Sequence, residues 1–149
     1  MSAGQNPVVG EAVPQDVWDS LSQDANAVLV DVRSAAEWAF VGGPDLSDLG
    51  RAPLQVEWAT FPGMSHNADF ANQVLDALGG AAPSQAFFIC RSGARSLSAA
   101  QTMAQTFAAR GETVICVNVK EGFEGDLDDA KHRGALSGWK ARGLSWVQS

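Results

Sequence analysis

The segment FFICRSGARSLSAAQ, Phe87 to Gln101, holds the residues best placed to do chemistry. An apolar run ends in Cys90; Arg91, Ser92, Gly93, Ala94 and Arg95 follow, and then an Ala- and Leu-containing periodic pattern resumes. The thiolate is the nucleophilic form of cysteine, and positive charge with convergent amide dipoles favours it. Amides of a tight loop leading into a helix converge on an anion, and the helix dipole adds to the attraction. Gly93 permits the sharp turn. Arg91 and Arg95 bring charge, with no acid between Phe87 and Ala109 to cancel it. Cys90 therefore reads as a nucleophile. The plainer role of an isolated cysteine, a packed core residue, fits less well beside two arginines.

Such a loop needs a strand before it and a helix after it. AFFIC reads as the strand, and ARSLSAAQTMAQTFAARG as a helix closed by Gly111. Ligands of open α/β folds sit where strand carboxyl ends meet helix amino ends, which is where Cys90 falls. Upstream, VPQDVWDSLSQ reads as a helix with Pro14 in its first turn, and AVLVDVR as a buried strand ending in Asp31 and Arg33. SAAEWAFV is helix-like and stops at Gly42, Gly43 and Pro44; LQVEWATF holds a short strand, and Asn67 to Leu78 has helical spacing. TVICVNV reads as a further strand, followed by a loop-rich tail with a short helix around Trp139 to Arg142. Repeated strand-then-helix order predicts an α/β fold with a mainly parallel central sheet. The Gly- and Pro-punctuated start predicts a flexible arm over residues 1–12, leaving one domain over 13–149.

Bulk properties narrow the function. With 149 residues, 46% hydrophobic and 18% charged, the chain has the size of one domain able to bury a core. A net charge of -7 argues against nucleic-acid and membrane-surface binding, which need clustered Lys and Arg. No apolar run approaches the roughly 20 residues of a membrane span, and the start lacks a signal-peptide pattern, so a cytoplasmic location is expected. Two cysteines, Cys90 and Cys116, make no disulfide scaffold and no zinc pattern. Neither a metal nor a cofactor is expected. Cys116, in the middle of TVICVNV, reads as a packed strand residue that does not pair with Cys90.

CRSGAR over Cys90 to Arg95, together with LVDVRSAAEW upstream, resembles the rhodanese-like sulfurtransferases, and the resemblance runs from about Val13 to Trp146. It implies a three-layer α/β domain with helices on both faces of the sheet. It also implies a reaction: the loop cysteine takes a sulfane sulfur from a donor such as thiosulfate, becomes a persulfide, and passes the sulfur to cyanide or a thiol. Cys90 matches the nucleophile, Arg91 to Arg95 the loop around the terminal sulfur, and Asp31 and Arg33 the support of fold and loop. A small sulfur donor, a thiol or cyanide acceptor, and a protein acceptor are the partners implied. Arg91 is followed by Ser92 where thiosulfate-favouring members often carry a second basic residue, and FVGGPDLSDLGRAP replaces the usual segment after Glu37 and Trp38.

Two rival readings stand beside this one. Cysteine phosphatases place five residues between Cys and Arg, whereas four separate Cys90 from Arg95. A non-catalytic persulfide carrier or binding module has the same sequence needs as the enzyme. Elsewhere, Glu121, Glu124, Asp126, Asp128 and Asp129 lack the spacing of a calcium loop and read as a solvated acidic segment, with Phe123 as a wall of the pocket. His66 and His132 fit surface or capping roles. The five tryptophans read as core and tail anchors, since no basic groove accompanies them.

Overall fold

The structure, a computed structural model, describes residues 8–60, 63 and 65–148. In chain order the elements are β1 (Gly10–Ala12), α1 (Pro14–Gln23), β2 (Val28–Asp31), α2 (Ala35–Phe40), β3 (Gly43–Pro44) and a 3-10 turn at Ser47–Leu49. There follow β4 (Leu54–Gln55), β5 (Ala59–Thr60), β6 (Ser65–His66), α3 (Phe70–Ala77), β7 (Gln85–Ile89), α4 (Ala94–Ala109), β8 (Ile115–Val119) and β9 (Trp146–Val147). The central sheet has five strands in the order β1-β8-β7-β2-β4, and every neighbouring pair is parallel. Two small antiparallel pairs, β3 with β9 and β5 with β6, lie outside it.

Period-two alternation along the inner strands sorts the core into two layers. Val30, Ala86, Phe88 and Cys116 pack with Phe70 and Val74 of α3 and with Ala99, Ala100, Met103 and Phe107 of α4. Leu29, Phe87, Ile89, Val117 and Val119 pack on the other face with Val17 and Leu21 of α1 and with Phe123 and Trp139. The protein is thus a three-layer α/β domain with helices on both faces of a parallel sheet. Fully burying side chains the size of Met103 or Phe107 contributes about 1.5–3 kcal/mol each, which is how short strands hold together. Among the described residues, no helix is long and apolar enough to cross a membrane.

Two segments differ from the sequence reading. Residues 1–7 of the expected arm lie outside the described residues, but Gly10–Ala12 form β1, paired in parallel with Val117–Val119. The ladder continues as the Lys120 amide donates to the Ala12 carbonyl at 2.8 Å, so backbone pairing outweighs the loop-like composition. Trp139 to Arg142 is a turn rather than a helix. Gly138 has φ 99°, and the backbone beyond it turns back so that Trp146–Val147 can pair with Gly43–Pro44. Trp139 is fully buried against Trp18 at 5.9 Å between ring centroids, as expected of an anchor.

Candidate active site

β7 carries the chain through the core and delivers Cys90 at the carboxyl edge of the sheet, one residue past Ile89. By alternation Cys90 shares the α4 face with Ala86 and Phe88, and Asn118 of β8 shares it with Cys116. α4 then starts at Ala94 after Gly93, whose φ of 114° is open to glycine and strained for other residues. This turn brings the Gly93 amide to 3.1 Å from Cys90 Sγ, to which it donates. One turn into α4, the buried Ser96 hydroxyl lies 3.2 Å from the same sulfur and 2.5 Å from Asn118 Oδ1. Asn118 Nδ2 donates to the Gly93 carbonyl at 3.2 Å, which orients the amide so that Oδ1 faces Ser96. A hydroxyl has one hydrogen, so Ser96 shares it between the thiol sulfur and Asn118.

The loop is held open from its other side by the segment after β8. Phe123 N donates to the Cys90 carbonyl at 2.8 Å, and Glu124 and Gly125 amides donate to the Arg91 carbonyl at 3.0 and 3.1 Å. These bonds turn both carbonyls away from the sulfur. Gly122 makes the approach feasible: at φ 68°, a Cβ there would sit 2.6 Å from the Cys90 and Arg91 backbone. Phe123 is fully buried beneath the loop and is not a pocket wall as the sequence suggested, because its amide bond to Cys90 draws its ring into the core.

The two loop arginines differ in surroundings. Arg95 makes a two-pronged ion pair with Glu37, Nη1 to Oε1 at 2.7 Å and Nη2 to Oε2 at 2.9 Å. Glu37 is itself fixed by a capping box with Ser34 at the start of α2. Burial pushes the Glu37 carboxyl up, but the Arg95 hydrogen bond and charge, with the Ser34 bonds, outweigh it and hold the group at about 2. The Arg95 guanidinium is raised by the same hydrogen bond. The absence of acids near Arg95 in sequence therefore misleads: α2 brings one across from 58 positions upstream. Arg91 is exposed, and its side chain has no hydrogen-bond or ion-pair partner among the described residues.

Asp31 and Arg33 are both fully buried and paired, Nη2 to Oδ2 at 2.7 Å and Nε to Oδ1 at 3.0 Å. Asp31 shares the strand parity of Leu29, on the face opposite Cys90, so the pair meets the loop only indirectly. Arg33 Nη2 also donates to the Gly42 carbonyl at 2.7 Å, and its guanidinium lies 4.5 Å from the Phe123 ring centroid. Nη1 has no hydrogen-bond partner. The pair thus ties β2, the Gly42 turn and Phe123 together under the loop.

Cys116 is buried and unpaired, and burial pushes its thiol up to about 12. Glu121 is engaged by Arg142 and by the Gly138 amide, and Asp128 accepts the Ala130 and His132 amides as a turn would. Among the described residues no group of three His, Cys, Asp or Glu could hold a metal. His66 packs on the Trp58 ring at 4.6 Å. Sequence reasoning missed Asn118 and the partnership of Ser96. The one available signal was a lone amide within the apolar run TVICVNV.

A parallel sheet whose carboxyl edge presents a Cys-to-Arg loop closing on a helix amino end is the arrangement that the resemblance to the rhodanese-like family implied. No family model matches the chain. Over 129 residues it is 34% identical to the uncharacterized RP600 homolog of Rickettsia rickettsii, covering 87% of this chain and 89% of that one. The crystal structure of Rv0390 from M. tuberculosis is 45% identical and superposes with a TM-score of 0.80, over 95% of this chain and 98% of that one. The rhodanese-like domain protein from Staphylococcus aureus is 15% identical with a TM-score of 0.50, over 95% of this chain and 99% of that one. The chain belongs to the rhodanese-like family.

Proposed function

We propose that residues 13–149 act as a single-domain sulfurtransferase that carries sulfane sulfur as a persulfide on Cys90. The observation that carries this reading is the pair of donors on Cys90 Sγ, Gly93 N at 3.1 Å and Ser96 Oγ at 3.2 Å, in a loop whose carbonyls are turned away. Donors so placed stabilise anionic sulfur without rearranging. The Cys90 thiolate attacks the outer sulfur of thiosulfate; an S–S bond forms to Cys90, the donor's S–S bond breaks, and sulfite leaves with the electron pair. Cyanide or a thiolate then attacks the outer sulfur and leaves as thiocyanate or a persulfide, returning the Cys90 thiolate. The cycle balances without a cofactor.

Arg91, free and exposed, collects the anionic donor. Ser92, Gly93 and Ala94 form the loop around the outer sulfur, Arg95 anchors it through Glu37, and Asp31 and Arg33 support it from the far face. Two unpaired thiols suit the reducing cytoplasm, where we place the reaction. A small donor and a thiol, cyanide or protein acceptor are its partners. The phosphatase reading loses ground because both terminal nitrogens of Arg95 are turned onto Glu37. A carrier would form the same persulfide without turnover.

Mass spectrometry after thiosulfate treatment should find one added sulfur on Cys90, and Cys90→Ser should lose it while remaining folded. Transfer that persists in Cys90→Ser refutes the assignment. Steady-state thiocyanate production then separates enzyme from carrier.

A further inference from the structure

Two non-glycine residues among those described have positive φ, Glu121 and Lys131. Lys131, at 62°, lies in an exposed turn. Glu121, at 74°, borders the Cys90 loop: its amide nitrogen is 4.0 Å from where a Gly93 Cβ would stand. Left-handed backbone is uncommon for glutamate and costs stability, whereas a glycine would take it freely, as Gly122 does at 68°. A strained residue persists only where its surroundings hold it. Here the carboxylate does so. Oε1 accepts the Gly138 amide and Arg142 Nε, both at 2.8 Å, and Oε2 accepts Arg142 Nη2. The Arg142 hydrogen bond, against a smaller opposing effect of burial, holds the Glu121 carboxyl below the usual carboxylate range. The turn beyond Gly138 adds two bonds, Trp139 N to the Gly122 carbonyl at 2.8 Å and Lys140 N to the Phe123 carbonyl at 3.1 Å. Residues 121–125 therefore lie between two hydrogen-bonded layers. On one side is the turn 138–142, anchored by the fully buried Trp139; on the other are the Cys90 and Arg91 carbonyls, held by the Phe123, Glu124 and Gly125 amides.

We propose that Glu121 is a positioning residue for sulfur transfer: its carboxylate, latched to Gly138 and Arg142, fixes the strained turn whose amides point the Cys90 and Arg91 carbonyls away from the sulfur. The inference rests on the persulfide reading of Cys90. Without the latch the turn relaxes toward ordinary backbone, and the Phe123, Glu124 and Gly125 amides leave their acceptors. The freed carbonyls then present negative oxygen to an anionic sulfur, and the Gly93 amide loses its fixed aim at Sγ. The Arg91 guanidinium takes no part in these bonds, so collection of the donor is untouched.

Glu121→Gly separates positioning from stability, because glycine adopts φ 74° without strain and yet removes the latch. In thiocyanate production from thiosulfate and cyanide, kcat should fall by about 10- to 100-fold, with the KM for thiosulfate within about twofold of the wild type. Arg142→Gln breaks the same latch from its other end, at a partly exposed side chain, and should show the same split. Glu121→Gln keeps an acceptor for the Gly138 amide and for Arg142, and should recover kcat to within about threefold of the wild type. A readout independent of turnover is amide hydrogen exchange. In Glu121→Gly the Gly93 and Phe123 amides should exchange at least about tenfold faster while those of β2 and β7 stay protected. Unchanged exchange at Gly93 and Phe123 overturns the positioning role, as does a loss of protection across the whole sheet. Faster local exchange with an unaltered kcat overturns it too. If the wild type forms no persulfide, the function reading fails, and the exchange still decides whether Glu121 holds the loop.

Discussion

Replacing Ser96 by Ala removes one of the two donors on Cys90 Sγ and leaves the Gly93 amide in place. A hydrogen bond to an ionised group contributes about 1.5–3 kcal/mol, so losing one of the two donors to the reacting sulfur should slow persulfide formation by roughly 10-fold or more. Ser96 shares its hydrogen with Asn118 Oδ1 at 2.5 Å, which places the effect toward the lower end. Rapid-quench measurement of persulfide formation from thiosulfate reads the rate directly. The buried Asn118 oxygen loses its donor, so thermal stability should fall by about 1–3 kcal/mol. A folded variant whose rate stays within about twofold of the wild type would show that the hydroxyl does not serve the sulfur.

Glu37 lies at about 2 against an ordinary 4.5, so its contribution to stability is fully present above 4.5 and is lost as pH falls toward 2. The shift corresponds to at most about 3 kcal/mol. Glu37→Gln should flatten the decline of stability across that window in urea melts at stepped pH; an unchanged slope refutes the ion pair as its source. Gly122→Ala should abolish persulfide formation, since its Cβ would meet the Cys90 and Arg91 backbone at 2.6 Å. Gly50→Ala is the control: its φ is 69° with nothing within 4 Å, so it carries only backbone strain of about 1–2 kcal/mol and should stay active. Equal activity in the two variants would contradict the close approach.

What could be read from the sequence was local. β7, α4 and β8 each announce themselves through apolar runs or periodicity, and Cys90 falls between two of them, so its position at the sheet edge followed from adjacency alone. What stayed hidden depends on which segments the fold brings together. Glu37 meets Arg95 only because β2 pairs beside β7, and Asn118 meets Ser96 only because β8 pairs on the other side. The tail misled for a related reason: residues with acceptable helical propensity around Trp139 are drawn into a turn by burial of its ring and by β9 pairing. Short edge strands such as β1 leave no periodic signal in three residues.

The charges near Cys90 sort by function once the fold is known. Arg95, which in sequence looks like the cation that stabilises the sulfur, is balanced by Glu37 and serves as a tie between α2 and α4. The Asp31 and Arg33 charges cancel each other on the opposite face of the sheet. Within the loop, then, the groups in contact with Sγ are dipoles, an amide and a hydroxyl. Net charge remains at Arg91, out at the mouth. On the proposed transfer from thiosulfate, such a division suits a site that attracts an anion and yet releases one: a fixed full charge against the sulfur would hold sulfite as firmly as it holds the donor. If Cys90 carries sulfur as proposed, dipoles aimed at its sulfur favour the anion that stays, and the exposed arginine, screened by water and salt, lets the leaving anion go.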